Sequence, residues 1–217
     1  MEKKELTENI VEIAGKTALS AIPIGGTLIT CIWDAVKGNA IQKRLEDWKE
    51  KVEGRLAKVE LSLDEIGSDE IFASTIMKAT DIAIKTMEEQ KREYLANAVL
   101  NSVNCKMEES IVMMYLDMVD RYTAWHLKIL CYFRNPKAFP QVDESKYYMG
   151  SPLQPLYEVF PELSSNSALV NKMVKDMYND GVLNTPDMNC TMTGSGMVAS
   201  RTTDLGNSFV DFIIGRD

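Results

Sequence analysis

The chain is poor in the residues that most catalytic and metal chemistry requires. Among its 217 residues there is one histidine, His126. Ser-His-Asp and Cys-His arrangements can be built only around it, and a typical zinc or iron site finds no second imidazole. It lies in WHLKIL, an apolar helical stretch where a lone histidine is ordinarily a hydrogen-bonded core or boundary residue. The four cysteines, Cys31, Cys105, Cys131 and Cys190, form neither a CxxC pair nor a secreted-domain framework and read as reduced thiols. A cationic surplus is also missing. Lysine and arginine total 24 against 32 acidic residues, a net charge of −8 that repels phosphate backbones and anionic lipid. The GSG at 194–196 is followed by neither Lys-Ser nor Lys-Thr, so it reads as a tight turn between strands and not as a phosphate loop. Asp117 with Asp120, and Glu108 with Glu109, are acid pairs of a kind common at helix starts and on exposed faces. No catalytic residue, metal site or cofactor is expected from this inventory.

What the chain does have is an uncharged run from Thr17 to Trp33, TALSAIPIGGTLITCIW, broken by Pro23, Gly25 and Gly26. A spanning helix needs about 20 mostly apolar residues, and this run is shorter and carries a helix breaker at its centre. Two readings follow. The segment is a helical hairpin buried in a bundle, or it is packed in one state and meets lipid or a partner in another. Small residues at Gly15, Ala18, Ser20, Ala21, Gly25 and Gly26 would let helices approach closely in lipid, where packing drives association. The residues that would meet a membrane or partner are Leu19, Ile22, Pro23, Ile24, Gly25, Gly26, Leu28, Ile29, Ile32 and Trp33.

Helical periodicity organises most of the remainder. Ile41, Leu45, Trp48, Val52, Leu56 and Val59 recur every three or four residues within a long amphipathic helix expected from Gly26 to Lys58. From Ser68 to about Val103 there is neither proline nor glycine, and apolar residues keep helical spacing, with EEQKRE at 88–93 as a bend or an exposed turn. Helices are expected over Glu108–Arg121 and Ala124–Phe133, apolar enough to form the centre of a bundle. Asn135-Pro136 ends this body, and 135–150 reads as a linker. Beyond it the spacing predicts helices over Leu153–Val159, Ser167–Asn179 and Thr202–Ile214, with Asp180-Gly181 stopping the second, and two short strands within Val182–Met197. The expected architecture is a mostly α multi-helix bundle over 1–134 with a small winged-helix-like interaction module over 151–217. The exposed helix of that module carries Lys172, Lys175 and Asp176. Its charge balance disfavours DNA and favours a protein partner.

Three segments together carry a resemblance. AIPIGG ahead of a charged amphipathic helix, KREYLANAVLNS at 91–102, and WHLKILCYFRNP at 125–136 ahead of the carboxy-terminal module resemble the abortive-infection alpha group of bacterial proteins. The resemblance covers most of the chain and brings no assigned active site. It implies an α-helical protein associated with phage defence, here expected to be a non-enzymatic effector or adaptor whose apolar amino-terminal segment is released toward a membrane on activation. The alternatives are an interaction scaffold that keeps this segment buried, and a winged-helix transcription regulator. A protein partner or a homo-oligomer is expected. The opening MEKKELTENI lacks the basic head and early apolar core of a signal peptide, so the cytoplasm is the expected location, with membrane association when activated.

Overall fold

The computed structural model describes residues 39–57, 69–104 and 107–214, and the segment Thr17–Trp33 lies outside them. The described chain is mostly helical, as the periodicity predicts. It divides into two compact units, one running to Arg121 and taking in the residues from Phe212 onward, the other Tyr122–Asp211. The stretch 135–150 lies inside the second unit, as does the helix that the sequence assigns to the bundle centre, Ala124–Arg134.

In the first unit, α1 (Asn39–Leu56), α2 (Glu70–Lys85), α3 (Glu89–Asn104) and α4 (Glu109–Arg121) pack side by side, with α2 and α3 each touching the other three. Leu45, Trp48, Val52 and Leu56 form the buried stripe of α1 that their spacing foretells. Trp48 is wholly enclosed, and its indole N–H donates to Thr80 Oγ1 at 3.0 Å. Where the sequence allows a bend or an exposed turn at 88–93, the chain forms two helices with a break at 86–88. Thr86 leaves the helical region while its N–H still reaches Ile82 O, and its Oγ1 accepts from the Glu88 N–H to start the next helix. A side-chain hydroxyl thus replaces the proline or glycine that a break usually announces. Asp69 caps α2 by accepting from the N–H groups of Ile71 and Phe72.

Buried and half-buried cations close the helix ends opposite these caps. Arg44 donates to Ile84 O and Arg92 to Thr86 O at the end of α2, while Lys91 donates to Asp120 O at the end of α4. Carbonyls at a helix carboxy terminus carry partial negative charge, so these positions suit cations. Desolvation still dominates at Lys91, holding its ammonium below the usual lysine range.

The second unit contains α5 (Ala124–Arg134), β1 (Met149–Gly150), α6 (Leu153–Val159), α7 (Ser167–Asn179), β2 (Met192–Thr193), a single turn α8 (Gly194–Met197) and most of α9 (Asp204–Ile214). Short 3-10 turns at Pro136–Ala138, Glu144–Lys146 and Pro161–Leu163 fill the connections. α7 packs on α5 and buries Val170, Met173, Val174 and Met177. Asn166 caps its start through Leu169 N–H, and Gly181 ends it at φ +76°, where glycine is favoured. The expected pair of strands within Val182–Met197 is corrected. β2 pairs antiparallel with the distant β1, Leu183 bridges Thr202, and the GSG opens the turn of α8. Thr193 Oγ1 caps that turn through Gly196 N–H, so the glycines serve a helix start and not a turn between strands.

Two glycines test this packing in opposite directions. A Cβ at Gly54, on the exposed side of α1, would meet nothing within 4 Å, whereas one at Gly206 would lie 2.1 Å from Val182 O. In urea unfolding, Gly54→Ala is expected to stabilise by about 0.5–1 kcal/mol through helix propensity. Gly206→Ala is expected to destabilise by at least about 1–3 kcal/mol through overpacking against backbone.

Candidate functional site

Two of the three residues singled out on α7, Lys172 and Asp176, converge with the only histidine. Lys172 is exposed and its ammonium lies 2.5 Å from both carboxylate oxygens of Asp176, one turn along the helix. This contact, assisted by His126 and opposed by partial burial, holds Asp176 below the usual carboxylate range. Asp176 Oδ2 in turn lies 3.5 Å from His126 Nε2 on α5. Lys175 is exposed on the same helix. One of the two candidate cations on α7 is therefore spent on an internal pair.

His126 is 8% exposed and sits at the third position of α5. Its Nδ1 accepts from the Thr123 N–H at 3.2 Å, while Thr123 Oγ1, 2.9 Å from the same nitrogen, accepts from the His126 N–H. This is a capping box in which histidine occupies the place usually held by Glu or Gln. The acceptor role of Nδ1 puts the proton on Nε2, facing Asp176. The imidazole is stacked on Tyr122 at 5.0 Å and 7°, and the Tyr122 hydroxyl donates to Asp180 Oδ2 at 2.7 Å. Hydroxyl, imidazole and carboxylate thus stand in the order of a nucleophile, base and orienting acid. Thr123 and His126 are each also committed to starting α5, which makes the array a structural link between α5 and the outer face of α7.

Burial is the largest influence on His126 and lowers its basicity; Asp176 and Asp180 pull the other way and Lys172 reinforces burial. The acid pairs show no comparable convergence. Asp117 is exposed and pairs with Lys78, and Asp120 contributes its backbone carbonyl to Lys91. Among the described residues no group of three or more His, Cys, Asp or Glu is placed to hold a metal ion, and no helix is long and apolar enough to cross a membrane.

A second cluster in this unit was not singled out in the sequence. Tyr132 on α5 is fully buried with its hydroxyl unpartnered, and its ring lies 5.2–6.2 Å from those of Phe133, Phe139 and Phe160. Burial, with Tyr147 and Glu158 nearby, raises its phenol well above the ordinary value, and Arg201 acts in the opposite direction. Tyr147 donates to Glu158 at 2.7 Å and is pushed up to about 12, mainly by burial. Arg201 is 7% exposed. The available signal was compositional: Arg201 is the single cation between Lys175 and Arg216, in a stretch that carries five aspartates.

Large exposed side chains mark a third location. Tyr148 is 89% exposed and Met149 61%, side by side where β1 meets β2. Their backbone is fixed by the pairing of Met149 with Thr193 and by the Gly194 N–H donating to Tyr148 O at 2.9 Å. A Cβ at Gly194 would lie 2.0 Å from Tyr147 O, so this close approach needs glycine.

The histidine provides a pH test with a definite sign. Because the folded state lowers its pKa from 6.5, the neutral form is favoured by folding. Stability from this site is complete above pH 6.5 and falls as pH drops from there through the lowered folded value. His126→Gln keeps a capping-box side chain and removes the titration. Thermal midpoints measured from about pH 7.5 to about pH 5.5 should fall more for the native chain than for His126→Gln; parallel profiles would show that His126 contributes nothing to acid sensitivity.

No family of known proteins, no curated protein and no solved structure matches this chain.

Proposed function

We propose that this chain is a non-enzymatic effector or adaptor of the abortive-infection type, working through protein contacts made by a winged-helix-like second unit. The observation that carries the interaction reading is the exposed pair Tyr148 and Met149 on a backbone fixed by β1–β2 pairing. Tyrosine and methionine are residue types enriched in protein interfaces, and here both are exposed at adjacent positions. The order α5, β1, α6, α7, then the Leu183–Thr202 bridge and α9, supports the likeness to a winged helix. Pairing of Lys172 with Asp176 on α7 weighs against nucleic acid, since phosphate contacts need free cations.

The defence context rests on the resemblance of the three segments. The membrane-directed part of the proposal rests on the apolar run that contains Ile24. In this reading the second unit senses a partner and the amino-terminal run delivers the effect.

Phage plaquing on bacteria expressing the chain tests the whole. The native chain is expected to lower plaquing efficiency, and Tyr148→Ser/Met149→Ser to lose that protection while keeping its circular dichroism spectrum and thermal midpoint. Ile24→Asp should lose protection as well. Undiminished protection by the folded double variant would remove the exposed pair from the mechanism. Absence of protection by the native chain against a broad phage panel would remove the defence role.

A further inference from the structure

The single histidine of the chain, a side-chain type that ordinarily titrates near neutral pH, is itself part of a helix cap. In most capping boxes the third helical residue is Glu or Gln, whose oxygen keeps an acceptor lone pair near neutral pH. Here the acceptor is Nδ1 of an imidazole, 3.2 Å from the Thr123 nitrogen. The neutral ring has one such lone pair and the protonated ring has none, because both nitrogens are then donors. Nε2, facing Asp176 Oδ2 at 3.5 Å, holds the proton of the neutral ring, so an added proton goes to Nδ1.

A proton on Nδ1 leaves two donors facing each other. Thr123 Oγ1, 2.9 Å from Nδ1, can accept from the protonated ring while it still accepts from the His126 N–H at 3.5 Å. The half of the box that serves the Thr123 N–H is therefore the half that is lost. Thr123 is extended, at φ −76° and ψ 165°, and no helix carbonyl takes this N–H in place of Nδ1. The groups facing the ring hold the imidazolium where it is. Asp176 and Asp180 attract it, Lys172 repels it, and Tyr122 stacks flat on it at 5.0 Å and 7°. A carboxylate and an aromatic face both favour a cation, so protonation frees the backbone at 122–123 and not the ring. Burial, the largest influence, acts with Lys172 to keep protonation below the ordinary imidazole range.

We propose that His126 is a pH-operated latch on the connection between α4 and α5: neutral, it ties down the Thr123 N–H; protonated, it releases that N–H and loosens the backbone at 122–123. The chain enters the second unit at this connection, Tyr122 being its first residue. The latch is independent of the Tyr148–Met149 surface and of the defence role.

The experiment is amide hydrogen exchange at Thr123, followed by NMR on the full chain and expressed as protection relative to an unstructured peptide at the same pH. It is run at about pH 7.5 and about pH 4.5, on either side of the histidine titration. The native chain should lose about tenfold in protection at Thr123 at the lower pH, the worth of one hydrogen bond. The Asn184 N–H, bonded to Arg201 O at 2.9 Å, should keep its protection and serves as the control. His126→Gln carries an acceptor that does not titrate and should protect Thr123 equally at both pH values. His126→Ala has no acceptor and should leave Thr123 unprotected at both; should it fail to fold, the native chain and His126→Gln decide the matter. The proposal is overturned if protection of Thr123 in the native chain is the same at both pH values, or if His126→Gln loses as much as the native chain.

Discussion

A ladder of polar side chains on α3 holds the first unit together. Glu89, Glu93, Asn97 and Asn101 recur every four residues and so share one face of the helix. Lys51 reaches Glu89 and Glu93, and Arg55 reaches Glu93 and Asn97, which joins α3 to α1 along its length. Further along, Asn97 donates to Ile213 O and Asn101 to Phe212 O, two carbonyls at the end of the last helix. Those carbonyls have no partner in their own helix. The side-chain amides therefore join residues more than 110 positions apart, beside the packed rings of Tyr115 and Phe212.

The second unit uses polar groups differently. On α5 the single histidine closes a capping box and meets α7, while Tyr132 and Arg201 are enclosed with donors unused. The first arrangement pairs its own donors and acceptors; the second leaves Arg201 Nε and the Tyr132 hydroxyl without a partner among the described residues. Outside lie Tyr148 and Met149, exposed on a backbone that a close glycine contact keeps in place.

Helices were legible in the sequence where periodicity and punctuation agreed. Ser167–Asn179 has its apolar stripe, Asn166 ahead of it and Gly181 behind it, and Leu153–Val159 is bounded by proline and a change of texture. A bend was one of two readings for 88–93, but its place at 86–88 was not legible because it depends on one threonine hydroxyl, in a position where threonine also fits a helix. Pairing of β1 with β2 joins residues about forty positions apart and is two residues long, too short for an alternating pattern. Arg201 looks like any surface arginine until the fold buries it with Nη2 on Gly196 O. Conversely, Lys172, Lys175 and Asp176 were identifiable as charges of one helix, but the partnership of Asp176 with His126 belongs to tertiary structure.

The most direct test of the account is equilibrium urea unfolding of Asn101→Ala beside the native chain. Asn101 is 8% exposed, and truncation leaves the Phe212 carbonyl without this donor. The account predicts a loss of about 1–3 kcal/mol with an unchanged dependence on urea concentration. A loss below about 0.5 kcal/mol would contradict it, since a difference that small is typical of a surface substitution.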